Sequence, residues 1–216
     1  TGDKVQFRPF IVIEHKILMT LKNADGSEIA RTVKDLVDAC TFNKLDMKKI
    51  SYFDIEYLFL QIRAKSIGET VDVNLKCGNC KTKVSTSYNI DDVKVIKNET
   101  HTNKIQLTST TGIIMKYPSI EGAISLFNNQ DDTEELDSLI ISSIEAIYDK
   151  DNYWTSDSIE ADDLKDFLNN LQKKHFDMIE NFFVSSPKIV QEIDVNCNSC
   201  GSDIKVKLEG LYNFFV

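Results

Sequence analysis

Cys77-Gly78-Asn79-Cys80 and, 120 positions later (197 minus 77), Cys197-Asn198-Ser199-Cys200 are the stretches on which the reading of this chain turns. In a Cys-x-x-Cys pair the two intervening residues let a tight turn aim both sulfurs and some backbone amides at one ion, and two such pairs supply the four thiolates of a tetrahedral site. The flanks alternate. Val71, Val73 and Leu75 precede the first pair and Val84 and Tyr88 follow it; Ile193 and Val195 precede the second, and Ile204, Val206 and Leu208 follow. The pattern is strand, knuckle, strand, twice over, a weak internal repeat. Disulfides within or between the motifs, free thiols and a redox dithiol are the competing readings. A redox dithiol normally opens a helix in a βαβ pattern, which these strand-like flanks do not provide. A structural zinc held by Cys77, Cys80, Cys197 and Cys200 in a zinc-ribbon-like module is the favoured reading, with an iron–sulfur cluster as the minor alternative for four thiolates.

Composition narrows the function. The 216 residues are 42% hydrophobic and 27% charged, enough for one large domain or two small ones with a real core. The formal charge of −9 and the pI of about 4.9 argue against a nucleic-acid partner, because neutralising phosphates calls for a basic surface. A zinc-ribbon nucleic-acid-binding accessory protein stays as the alternative function. No stretch approaches the ~20 apolar residues of a membrane span. The polar start Thr1-Gly2-Asp3-Lys4 is not expected to be a secretory signal. Four knuckle cysteines and one odd Cys40 suit a reducing compartment. Cys40 follows Leu36, Val37 and Ala39 at helical spacing and is expected as a buried apolar thiol.

Outward from the knuckles, the sequence predicts an α+β fold: a mixed α/β domain with a four-Cys zinc-ribbon-like module joining mid-chain and C-terminus, plus a helical insert. The expected divisions are an N-terminal strand/helix region over 1–68, the ribbon module over 69–90 and 188–216, and a mostly helical insert over 91–187. In the first region, the β-branched run Ile11-Val12-Ile13 predicts a strand, with Lys16 to Leu21 as a second strand or a helical turn. Asn23 to Ser27 predicts a turn, Thr32 to Cys40 a short helix, and Ile50 to Ala64 a long helix stopped at Gly68. That long helix is apolar on more than one face, so it is expected between other elements.

The insert predicts strands at Val93–Val95, Lys104–Leu107 and Gly112–Tyr117, then a helix capped by Ser119. A second helix is capped by Thr133, with an apolar stripe from Leu136 to Ile147. Tyr148 to Ser156 reads as a loop or short strand, and 161–184 as two helices; together the helices could form a small bundle. Asp131, Asp132, Glu134, Glu135, Asp162 and Asp163 cluster at predicted helix starts, where capping and the helix dipole account for them. His15, His101 and His175 stand isolated, and no phosphate loop, nucleophile elbow or His-Glu-x-x-His is present. No enzyme and no small-molecule substrate is expected. The aromatic end, Leu211-Tyr212-Asn213-Phe214-Phe215-Val216, is costly to leave in water and is expected to pack on the protein's own core, with packing on a partner as the alternative.

Taken in order, several segments together resemble the T4-type phage baseplate hub assembly protein family. They are Arg8-Pro9-Phe10, Glu14-His15-Lys16-Ile17-Leu18, Arg63-Ala64-Lys65-Ser66-Ile67-Gly68-Glu69, the first Cys-x-x-Cys, Phe182-Phe183 to Pro187, the second pair with Gly201, and Leu208 to Phe215. The resemblance implies a component or assembly factor of a contractile-tail baseplate hub, with other baseplate hub proteins as partners. It implies the host bacterial cytoplasm during assembly as the location, and leaves open a lasting place in the virion's tail baseplate.

Overall fold

The computed structural model describes residues 2–21, 24–128 and 133–210. Among these the chain forms seven helices and nine strands in three sheets, an α+β fold. It divides into two compact units, one built from residues 1–96 and 188–216 and the other from 97–187. The aromatic end 211–216, Asp131 and Asp132 of the acidic cluster, and Asn23 of the predicted turn lie outside the described residues.

The first unit opens with α1 (Val12–Thr20), where the sequence predicts a strand. Local capping overrides the β-branched propensity. Ile11 is extended, and its backbone N–H donates to Glu14 Oε2 at 2.8 Å, so a carboxylate sits in the first turn and fixes the helix start. Arg8 donates to both oxygens of that carboxylate, at 2.7 and 2.8 Å. α2 (Gly26–Cys40) starts earlier than the predicted Thr32, because Asp25 caps it by accepting the Glu28 N–H at 2.9 Å. Its buried stripe of Ile29, Ala30, Val33, Leu36, Val37 and Cys40 faces α3 (Tyr52–Ile67). α3 buries Ile55, Phe59, Leu60 and Ile62 between α2 and the later strand β8 (Lys188–Asn196), as its many-sided apolar pattern predicts. Gly68 closes it at φ 125°, a conformation that L side chains rarely adopt.

After α3, β1 (Thr70–Lys76) and β2 (Lys83–Asn89) form an antiparallel hairpin, and Ile90–Asp92 makes one 3₁₀ turn. β3 (Lys94–Ile96) pairs with β8, which pairs in turn with β9 (Asp203–Glu209).

The second unit holds a four-stranded antiparallel sheet as well as helices, so its helices do not pack as a bundle alone. β4 (Lys104–Gln106), β5 (Gly112–Met115), β6 (Ile144–Tyr148) and β7 (Tyr153–Thr155) lie in sequence order. α4 (Ile120–Asn128) begins where Ser119 Oγ accepts the Gly122 N–H. α5 (Thr133–Ser142) ends well before the predicted stripe does. The hydroxyls of Ser142 and Ser143 bond back to the Leu139 carbonyl, at 2.9 and 2.8 Å, and compete with continuation of the helix. Ile144 to Tyr148 then pairs with β5 as a strand. α6 (Ala161–Asn169) and α7 (Lys173–Ser185) supply Leu164, Leu168, Ile179 and Phe182 to one core with Ile105, Ile113, Met115, Ile140, Ile144 and Ile147.

Gly112 is fixed by contact. A Cβ there would strike the Tyr148 ring and stand 2.7 Å from the Ile105 carbonyl oxygen, which is backbone and cannot turn away. Tyr148 Oη also donates to Gln106 Oε1 at 2.8 Å across the same row of the sheet. Gly112→Ala is therefore expected to cost about 2 kcal/mol by overpacking, read as a lowered urea midpoint with unchanged slope.

Candidate metal centre

The two knuckles are built alike, bond for bond. Thr82 O accepts from Cys77 N–H at 2.9 Å and Ser202 O from Cys197 N–H at 2.9 Å. Lys81 N–H reaches Cys77 O at 3.0 Å, and Gly201 N–H reaches Cys197 O at 2.8 Å. The strands repeat as well: Val71↔Tyr88 through Lys76↔Lys83 in β1–β2 match Gln191↔Leu208 through Asn196↔Asp203 in β8–β9. β2 and β9 share one order of buried and exposed positions, with Val84 and Tyr88 turned inward in the first and Ile204 and Leu208 in the second. The sequence-level repeat is thus a repeat of two hairpins, each turning through its own Cys-x-x-Cys.

The structure brings all four predicted cysteines together. Their Sγ atoms lie within 4.8 Å of one another, Cys80 to Cys197 at 3.5 Å and Cys77 to Cys200 at 3.7 Å. A disulfide needs about 2.05 Å. A tetrahedral ion with metal–sulfur bonds of about 2.3 Å spaces its sulfurs about 3.8 Å apart; the Cys80–Cys197 and Cys77–Cys200 separations lie close to that, and every other pair is within 4.8 Å. Cys77 and Cys197 are buried, packed with Val84 and Ile204 and flanked by Leu75, Val195 and Val206, whereas Cys80 and Cys200 are exposed. The site is therefore apolar beneath and open above.

Electrostatics divide the sulfurs. Hydrogen bonding by Ser202, through its hydroxyl and its backbone, holds the Cys200 thiol down at about 6. Thr82 lowers Cys80 in the same way. The backbone N–H groups of Ser199 and Cys200 favour the thiolate of Cys197, but burial and the neighbouring sulfurs of Cys80 and Cys200 push it up to about 11. Four thiolates at this spacing repel one another, and a bound cation removes the conflict by stabilising all of them. The donor set, its spacing and this crowding fit a soft or borderline divalent metal.

Three residues that the sequence reading passed over support the sulfurs. Thr82 Oγ1 and Ser202 Oγ each lie 3.3 Å from the second cysteine of their own knuckle. Asn79 crosses between knuckles, donating from Nδ2 to Ser202 Oγ at 3.1 Å and lying 3.8 Å from Cys200 Sγ. The available signal was the hydroxyl residue two places after each second cysteine. Cys40 stands apart from the site, fully buried in the Arg8–Glu14 contact, where burial pushes its thiol up to about 11. His101 is likewise elsewhere, its Nδ1 2.9 Å from Ser185 Oγ and its ring stacked on Tyr117. No helix of the described residues is long and apolar enough to cross a membrane.

The sequence model of the family described as T4 bacteriophage base plate protein matches residues 1–216 of the chain. No curated protein and no solved structure matches it.

Proposed function

Because the chain belongs to the T4 bacteriophage base plate protein family, we propose that it serves, without catalysis, as a component or assembly factor of a contractile-tail baseplate hub, binding other hub proteins. The family match over the whole chain carries this reading. Zinc, held by Cys77, Cys80, Cys197 and Cys200, is the proposed structural ion. Its role is to fasten the β1–β2 and β8–β9 hairpins and so to set the surface that partners meet. The same reading keeps 69–90 and 188–216 as a zinc-ribbon module and 91–187 as an insert. It places the protein in the host cytoplasm while tails are assembled.

Two further observations support binding to protein. Val12 and Ile13 of α1 are 72% and 63% exposed, apolar area that is costly to leave in water. The net charge of −9 disfavours phosphate partners.

Capture of the tagged full chain from infected cells tests the proposal. Baseplate hub proteins are expected to co-purify through high salt, with about one zinc per chain by elemental analysis. Salt-sensitive retention on DNA without hub proteins would sink it in favour of a nucleic-acid role. Iron with inorganic sulfide in the purified protein would replace the zinc.

A further inference from the structure

The two hairpins are equivalent in backbone but opposite in charge. At the foot of the first knuckle Lys76 and Lys83 face each other as direct cross-strand partners, and Lys81 lies between them in the turn. The equivalent positions of the second hairpin hold Asn196, Asp203 and Gly201. Like charges opposite one another destabilise a strand pair. Lys81 sits at φ 63°, where its counterpart is a glycine at φ 72°, and a side chain in that region costs energy that glycine does not.

All three lysines are exposed, and none makes an ion pair among the described residues. The lysines of the second hairpin, by contrast, are paired: Lys205 with Asp194 at 3.3 Å and Lys207 with Glu209 at 3.0 Å. The one carboxylate of the first hairpin, Asp72, is four residues down β1 from Lys76, about 13 Å away at strand rise. Lys81 Nζ turns back over the knuckle to donate to Gly78 O at 2.7 Å. Two local penalties are thus concentrated beside four converging sulfurs, in a chain that is otherwise acidic.

Four thiolates around a divalent cation leave an excess of two negative charges. We infer that Lys76, Lys81 and Lys83 form a cationic collar that offsets this charge and raises the affinity of the centre for its metal. The inference rests on the metal centre proposed above. The lysines coordinate nothing; they act through the field they place on the sulfur cluster. Their mutual repulsion is present with or without metal, but it is offset by their attraction to the net negative centre that forms when the metal replaces the thiol protons.

The test uses the full chain, Zn²⁺ and a competing chromogenic chelator, with all cysteines reduced. A Lys76→Gln/Lys81→Gln/Lys83→Gln variant is expected to bind Zn²⁺ roughly tenfold or more weakly. The gap should narrow as salt is raised, and the corresponding triple Arg variant should restore the parent's affinity. In metal-free protein the Gln variant should be at least as stable as the parent, since the repulsion is gone. Equal affinity of parent and Gln variant overturns the inference and leaves the metal centre standing. So does an equal loss in the Arg variant, or a matching loss of stability without metal. A parent that takes up no Zn²⁺ overturns both.

Discussion

A Cys77→Ser protein is expected to lose its metal, and with it the cooperative melting of the unit formed by residues 1–96 and 188–216. Cys77 is the sharper choice over Cys80 because it is buried against Val84 and Ile204, so its replacement disturbs both the ligand set and the packing under it. Structural zinc contributes ~10 kcal/mol or more in modules that have little else to hold them. Here α2, α3 and β8 supply a core of their own, so the loss should be several kcal/mol, not complete unfolding. Hydrogen exchange on the full chain should show protection falling across 70–89 and 190–209, with Ile105, Ile113 and Ile179 of the other unit unaffected. A strong chelator should bring the parent to the same state and should do nothing more to the variant, since both act on one centre. Cys40→Ser should keep the metal, because that thiol lies away from the cluster. A Cys77→Ser protein with full metal content and unchanged protection would mean that the sulfurs converge for some other reason.

Arg8→Ala is the second large effect, at about 3 kcal/mol. The Glu14 carboxylate is nearly buried, its side chain 9% exposed against 31% for Arg8. Removing Arg8 leaves a charge in the interior, held by the Ile11 N–H and the Cys40 thiol. Glu14→Gln should cost less, since a stranded Arg8 can turn toward water while the amide oxygen still caps α1. The hydrogen bonds from Arg8, opposed by burial and aided by the Ile11 N–H, hold the Glu14 carboxyl below its ordinary 4.5. A carboxylate with a lowered folded pKa adds stability at pH above its unfolded value and loses it as pH falls through the folded one. The parent should therefore weaken as pH falls below 4.5. In Arg8→Ala burial prevails and raises the carboxyl, so acidification should narrow the difference between the two proteins. Urea unfolding at pH 7 and at pH 3.5 measures both; a gap that widens in acid would contradict the account.

Much was legible in the sequence wherever burial follows a local period. Val71, Val73 and Val84 alternate and form strands; Val33, Leu36, Val37 and Cys40 recur at three and four and form one helix face. Gly68 stops α3 and Ser119 starts α4, because cap residues act on their own turn. The misreadings arose where two local signals compete. Ile11-Val12-Ile13 favours a strand until Glu14, neutralised by Arg8, fixes a helix start. Leu139, Ile140, Ile144 and Ile147 share a helical spacing, yet two serines bonding back to Leu139 end the helix and release Ile144 to the sheet.

By itself, then, the sequence determined the two knuckles, their flanking strands and the class of metal four thiolates would take. Only the tertiary structure decided that the four sulfurs meet, that Asn79 reaches across to Ser202, and that Lys76 faces Lys83 beside them. The reason is range. A turn or a burial stripe is set by residues a few places apart, whereas convergence across 120 positions depends on how α3 and the strand pairings carry one hairpin to the other.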